Sequence, residues 1–113
     1  MNVLKNIYIL LFLLFVNKLH AAEQIQNEQI GHINTYKTLA VIRLTGTSDN
    51  LDGCTRQNAG KYVAIVYLEG KEMYSASLSA YMANRKVGFG VSGCQSWGST
   101  TIPKAYRVDV YKN

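Results

Sequence analysis

The stretch that decides the fold is residues 61–94, KYVAIVYLEGKEMYSASLSAYMANRKVGFGVSGC. It predicts a strand, a turn, a helix and a second strand. Residues 62–68 are β-branched and aromatic and largely apolar on both faces, as in a central strand that is covered on both sides. Glu69 and Gly70 interrupt this run and predict the turn. The fold is therefore expected to contain both helix and sheet.

The helix is expected over residues 71–83, with Glu72 in its first turn and Asn84 as its stop. Two side-chain stripes follow its surface, one of larger residues and one of small residues. They are Tyr74, Leu78, Tyr81 and Arg85, and Met73, Ala76, Ala80 and Ala83. Packing of both stripes in the core is the simpler interpretation. A helix that lines the central channel of an oligomer is the alternative, because small residues allow close approach.

The strand after the helix has glycine at alternate positions. Val87, Phe89 and Val91 share one face, and Gly88 and Gly90 share the other. Glycine weakens a strand unless something needs the space. We expect the helix or a neighbouring aromatic ring to fill it, and the alternatives are a ligand ring on the bare backbone and a bulge or bend in the strand.

Residues 1–22 have the pattern of a signal peptide. Lys5 precedes an unbroken apolar run at residues 7–16, which is too short to span a bilayer. The remaining chain, residues 23–113, is long enough for one small domain. The prediction is a secreted or periplasmic protein with no stable membrane insertion after cleavage.

The charge pattern gives no indication of a nucleic-acid partner. The full chain carries a formal charge of +5, and residues 23–113 carry ten cations against seven anions. These cations are scattered, without a Lys/Arg run or a nucleic-acid-binding motif. No cofactor or metal-ligand pattern is present, so neither group is expected.

The other strands are less clearly defined. Residues 23–29 are polar and are expected to form a loose lead-in. Residues 30–44 form either one long bent strand or two strands. Residues 105–111 predict a last, edge strand with Tyr106, Val108 and Val110 facing inward. The segments 46–60 and 92–104 are both expected to be loops.

Two cysteines in an exported chain most often pair, so a disulfide is expected between Cys54 and Cys94. Each lies in one of the two expected loops. The bridge would hold residues 46–60 against residues 92–104, and their polar side chains would then share one end of the sheet.

A binding site is predicted at that end. Trp97 is the only tryptophan and stands among small polar residues. Such a ring can stack on the apolar face of a sugar while amides and hydroxyls bind its rim. The predicted ligand-binding residues are Trp97, Gln95, Ser96, Arg56 and Asn58. The alternative is that Trp97 folds back as a lid over the core.

Catalysis has little support in the sequence. After signal cleavage one histidine remains, His32, and both cysteines are committed to the bridge. Glu28 and Arg43 are nominally available as partners, but no triad or metal-ligand set can be assembled. We therefore predict a protein that is not an enzyme, and a small secreted hydrolase is the third interpretation of function.

The signal peptide, the short mature chain, the single disulfide and the segment SASLSAYMANRKVGFGV, a helix running into a strand, resemble the binding subunits of bacterial AB5-type toxins. The resemblance is nearest to the pertussis/subtilase-toxin-like group, is topological, and covers mainly residues 61–91. It implies an OB-fold lectin that assembles as a ring around its helices. The single disulfide departs from several members, which have more.

The fold class expected from all this is α+β: a small, mostly antiparallel sheet or an OB-like five-stranded barrel, with one helix and one disulfide. The expected function is an exported, non-enzymatic binding module, and its expected specific form is a glycan-binding, toxin-B-subunit-like homo-oligomer. The alternative is a periplasmic inhibitor or protein-interaction domain that uses a protruding loop and an edge strand.

Overall fold

The computed structural model describes residues 23–46 and 53–112, so the expected signal peptide at residues 1–22 lies outside the described residues. The described chain has five strands, one α-helix and one 3-10 turn. In order these are β1 Glu23–Thr35, β2 Leu39–Leu44, the 3-10 turn Ala59–Lys61, β3 Tyr62–Val66, α1 Lys71–Met82, β4 Lys86–Trp97 and β5 Thr100–Val110.

The strands form one five-stranded mixed sheet in the order β1-β2-β3-β5-β4, and β4 also pairs with β1, so that the circuit of pairings closes. Four pairings are antiparallel. The fifth, between β3 and β5, is parallel and is centred on Ala64 and Lys104. The small α+β fold with one helix and one disulfide is therefore confirmed, and its sheet is mixed.

Strand β3 is buried on both faces, as the sequence predicts. Val63 and Ile65 point into the main core, which also contains Ile42 and Phe89. Ala64 points the other way, into a second and smaller buried cluster with Val41 and Ile102. Residues 62–66 are apolar at successive positions because the sheet has apolar layers on each side of this strand.

Helix α1 ends within one residue of its predicted boundary, and Asn84 follows it in the left-handed region at φ 55°. The small-residue side of the helix is the side that packs, with Ser77 and Ala80 fully buried. Core packing of the larger stripe is confirmed for Tyr74, which packs against the main core, and is wrong for Leu78 and Tyr81, which are 39% and 41% exposed. Among the described helices, none is long and apolar enough to cross a membrane.

The segment 23–29 is part of a long strand and not a loose lead-in. Strand β1 pairs with β4 at its start and with β2 at its end, so residues 30–44 contain two strands separated at residues 36–38. One apolar side chain in the polar segment, Ile25, reaches the core, opposite Phe89. Pairing with β4 therefore outweighs the polar composition of this segment, which local propensity alone cannot show.

The predicted loop at residues 92–104 is wrong, because most of it is a β-hairpin. Strand β4 continues to Trp97, β5 begins at Thr100, and Gly98 makes the turn with φ +63°. Glycine accepts that conformation without steric cost. The ladder runs from Cys94 opposite Pro103 to Trp97 opposite Thr100. Strand β5 therefore pairs with β4 along most of its length, and at Lys104 it also pairs with β3, so it is not a simple edge strand.

A bulge in β5 explains why its inward side chains were predicted incorrectly. Gly90 pairs with Arg107 and Val91 pairs with Ala105, which leaves Tyr106 as an extra residue. The alternation therefore changes phase, and Ala105 is buried while Tyr106 is 47% exposed. Val108 packs against the core as expected, whereas Val110, near the strand end, is 43% exposed.

Aromatic side chains occupy the space beside the two glycines of β4, which confirms the expectation of a neighbouring ring. A Cβ on Gly90 would lie 2.6 Å from the ring of Tyr106. A Cβ on Gly88 would lie 2.6 Å from the Tyr111 hydroxyl and 2.8 Å from the backbone oxygen of Ile25. The two sites differ because only Gly88 also faces backbone.

We expect Gly88→Ala to destabilise the protein by about 1–3 kcal/mol, since the β1 backbone must shift to admit the methyl group. Gly90→Ala should cost clearly less, because the exposed Tyr106 ring can swing away. Urea unfolding of the two variants measures the difference. Equal losses, or a larger loss at Gly90, would contradict this explanation.

Candidate functional site

The disulfide predicted between Cys54 and Cys94 is present, with the two Cα atoms 5.8 Å apart. Cys54 is buried, and Cys94 is exposed on β4 beside Pro103 of β5. The bond therefore fixes the segment before β3 to the hairpin formed by β4 and β5.

Hydrogen bonds continue this attachment along the next two residues. The backbone N–H of Thr55 donates to Thr101 Oγ1, and the N–H of Thr101 donates to Thr55 Oγ1, each at 2.9 Å. The N–H of Arg56 then donates to the carbonyl of Thr101 at 3.1 Å. Because residues 54–56 are held by both covalent and hydrogen bonds, the Arg56 side chain starts from a fixed point above the hairpin.

Arg56 stacks on the two aromatic rings next to it. Its guanidinium carbon lies 4.1 Å from the ring centre of Trp97 and 4.9 Å from that of Tyr62. The two rings are themselves 5.3 Å apart with planes tilted by 50°. A guanidinium in this position is attracted by the electron-rich ring faces. We call Arg56, Trp97 and Tyr62 the aromatic stack.

A surface depression of about 370 Å³ opens beside the aromatic stack. It is lined by Arg56, Tyr62, Gln57, Asn58 and Thr100. Asn58 has a left-handed backbone, φ 58°, and it precedes the 3-10 turn that leads into β3. Asparagine tolerates this conformation better than most residues. The depression therefore combines a cation, an aromatic ring and two exposed side-chain amides.

The five side chains predicted to bind ligand are not all brought together. Arg56 and Trp97 are in contact, and Asn58 lines the depression with Arg56. Alternation along β4 puts Gln95 on the same face as Trp97 and Ser96 on the opposite face. The Gln95 amide donates to the carbonyl of Ser96, at 3.4 Å. Neither of these two residues lines the depression.

Trp97 is half-buried and serves two purposes. One part of the ring packs on the smaller buried cluster, together with Leu39 and Tyr62. Another part remains at the surface under Arg56. The sequence presents two alternatives for Trp97, a lid over the core and a surface aromatic group, and the same ring thus serves as both.

Tyr62 and Arg43 belong to this surface although the sequence analysis did not select them. Arg43 pairs with Tyr62 across β2 and β3, and its guanidinium carbon lies 6.0 Å from the tyrosine ring centre. Tyr62 was treated as part of the core strand. Tyr62 carries a hydroxyl, stands at the start of the strand, and points to the opposite face from Val63 and Ile65. These features could have identified it from the sequence.

The residues considered for catalysis do not form a catalytic set in the described chain. His32 is exposed, and its Nε2 contacts the Asn34 side chain. Arg43 pairs with His32 across the strands, whereas the Glu28 carboxylate lies against Gly46. Within residues 23–46 and 53–112, no three metal-binding side chains come together. Elsewhere in the described chain, burial, and then the nearby Tyr74, raise the pKa of Tyr67.

Comparison with known proteins returned no relative: no family model, no curated protein and no solved structure matches the chain.

Removal of the disulfide by Cys54→Ala with Cys94→Ala should lower the free energy of unfolding by about 4 kcal/mol on the chain-entropy model, because 40 residues separate the two cysteines. Urea unfolding of oxidised, reduced and doubly substituted protein measures this difference. A loss below about 1 kcal/mol would show that the hydrogen bonds alone hold residues 54–56 in place.

Replacement of Arg56 by alanine should expose Trp97. As the chain has one tryptophan, its emission reports this ring alone. We expect a red shift, stronger quenching by acrylamide, and a loss of about 0.5–1 kcal/mol in stability. Arg85→Ala, at the end of α1, is the matched control. Unchanged emission in Arg56→Ala would show that the guanidinium does not cover the ring in solution.

Proposed function

We propose that this protein is an exported, non-enzymatic binding module and that its ligand is a carbohydrate. The observation that carries the proposal is the half-exposed aromatic stack beside a depression lined by the amides of Gln57 and Asn58. Carbohydrate sites combine an aromatic surface with polar groups that bind hydroxyls. The disulfide supports export, since such bonds persist in oxidising compartments.

We also propose an OB-type barrel as the finer description of the fold. The strand order β1-β2-β3-β5-β4, with β4 returning to β1 and a helix between β3 and β4, supports it. An OB-type barrel agrees with the resemblance to AB5 binding subunits, but a shared fold alone does not make the chain a member of that group. Assembly as a homo-oligomer through α1 is part of the same proposal, because the exposed side of α1 carries Leu78, Tyr81 and Met82.

A second candidate is a periplasmic inhibitor or protein-interaction domain. The same exposed apolar side of α1 favours it, with Met82 at 77% exposure. Methionine and tyrosine are enriched where proteins meet one another. On this view the partner contacts the helix, and the aromatic stack contributes only stability. A small hydrolase built on His32 is the third and weakest candidate, and His32→Ala with unchanged activity would remove it.

Trp97→Ala and Asn58→Gly should each abolish or strongly reduce glycan binding on an array of immobilised oligosaccharides. Asn58→Gly is the gentler change, because glycine keeps the left-handed backbone while the amide is lost. Tyr36→Ala removes another exposed aromatic side chain, 47% accessible, in the turn before β2. This control variant should bind like the unaltered protein.

Binding that survives both site substitutions would contradict the proposed site. Absence of glycan binding by the unaltered protein, together with capture of a partner that depends on Leu78 and Tyr81, would favour the protein-interaction function. Light scattering on residues 23–113 tests assembly separately, because a strict monomer excludes the ring.

A further inference from the structure

The outer face of the sheet carries a row of aligned side chains that leads away from the aromatic stack. His32 of β1 pairs with Arg43 of β2, and Arg43 pairs with Tyr62 of β3. Their neighbours Ile42 and Val63 point into the core, so the row faces outward. Neighbouring strands lie about 4.8 Å apart, and the row therefore spans roughly 10 Å before it reaches Arg56.

A second depression, of about 360 Å³, lies at the far end of this row. The polar side chains that line it are His32, Arg43, Thr45 and Lys61. Tyr62 belongs to the first depression and Arg43 to the second, and these two residues are in contact. Only the side chains of Tyr62 and Arg43 lie between the two depressions, which therefore belong to one continuous outer surface. We call this surface, with its cations Arg43, Arg56 and Lys61, the basic strip.

The three cations of the basic strip, unlike Lys104 and Arg107, have no acidic partner among the described residues. Lys104 Nζ lies 3.1 Å from Glu69 Oε1, and Arg107 Nε lies 3.2 Å from Asp109 Oδ1 without hydrogen-bond geometry. Among the residues that the structure describes, no such ion pair involves the three cations of the basic strip. These cations are Arg43, Arg56 and Lys61.

One described carboxylate, that of Glu28, lies beside the strip. It lies against Gly46, next to Thr45 at the margin of the second depression, and it makes an interaction of its own. The three cations nevertheless concentrate positive charge along one face. Arg43 and Arg56 are stabilised by the Tyr62 and Trp97 rings instead of by carboxylates. Their guanidinium groups therefore retain donors for an external anion.

We propose that the basic strip binds a polysaccharide that carries several anionic groups. This inference rests on the proposed function, which it extends from a sugar ring at the aromatic stack to charged groups along the strip. Three separated cations match a ligand with repeated charges better than one with a single terminal acid. One charged group would lie in the second depression near Arg43 and Lys61, while a neighbouring sugar lies beside Asn58.

Single-stranded nucleic acid is the competing polyanion, and the stack geometry disfavours it. Such binding depends on aromatic faces that are free to stack on bases. Here Arg56 lies over the faces of both Trp97 and Tyr62, and Arg43 approaches Tyr62 as well. A sugar in the neighbouring depression would instead be bound through its hydroxyl groups by the amides of Gln57 and Asn58, without stacking on the covered ring faces.

The test is calorimetric titration of residues 23–113, with the disulfide intact, at several salt concentrations. The probes are a size-fractionated heparin oligosaccharide, the same oligosaccharide after desulfation, a neutral maltooligosaccharide of equal length, sialyllactose, and oligothymidylate of matched charge. We expect heparin to bind most tightly. The desulfated probe shows whether sulfate or carboxylate supplies the anionic groups.

Arg43→Gln and Lys61→Gln should each weaken heparin binding by roughly fivefold to tenfold. Each should also reduce the slope of log K against log salt by about one. Lys71→Gln, an exposed lysine at the start of α1, removes the same charge elsewhere and should leave both quantities unchanged. Circular dichroism and thermal unfolding check that each variant is folded.

The outcomes separate this inference from the proposed function. Neutral-sugar binding that depends on Trp97 but not on Arg43 or Lys61 would overturn the basic strip and leave the carbohydrate site in place. No binding of any saccharide would overturn both. Tighter binding of oligothymidylate than of heparin would replace the polysaccharide with nucleic acid and overturn the inference. Equal losses in Lys71→Gln would reduce the effect to net charge, and would overturn it too.

Discussion

The attachment of residues 54–56 to the β4–β5 hairpin is the constraint on which the candidate surface depends. A covalent bond at Cys54 is followed by paired threonine hydrogen bonds and by the Arg56 amide on the Thr101 carbonyl. Arg56 would otherwise belong to a long connection with much conformational entropy to lose. Since its backbone is already fixed, only the rotamer entropy of the side chain remains to be lost when the guanidinium lies on the two aromatic rings.

The double burial of β3 explains how such a small sheet supports a surface of this kind. Its inner side chains complete the main core, and its outer Ala64 lies under the hairpin with Val41 and Ile102. The hairpin therefore covers only part of the outer face. Tyr62, at the start of the same strand, emerges at the border between the covered part and the basic part. One short strand thus contributes both to the core and to the candidate binding surface.

The sequence predicts the parts of the fold that are set by local pattern and by covalent chemistry. It identifies β3 and α1 because an apolar run and a helical period are local patterns in the sequence. It identifies the disulfide because two cysteines can pair in only one way. It misses the strand character of residues 23–29 and of the hairpin, whose polar sequences become strands only through their partners. It also misses the Tyr106 bulge, since a change of phase depends on the opposite strand.

The site follows the same division. Trp97 and Arg56 could be selected by residue type together with the disulfide, which predicts that their segments approach each other. Arg43 and His32 could not, because their place beside Tyr62 follows from the register of three strands. Sequence alone treats them as scattered charges. Only the strand pairing shows that residues far apart in the sequence lie in one row on the surface.

The pairing of β1 with β4 also has a kinetic consequence. Ile25 near the beginning of the domain lies opposite Phe89, which is synthesised near its end. Closing so long a loop costs entropy before any contact repays it, and chains dominated by such distant contacts fold slowly. The circuit of strands cannot close until most of the domain is available. If the chain is exported, as proposed, slow closure of this kind would favour its passage in the unfolded state, and the topology itself would then take part in its biogenesis.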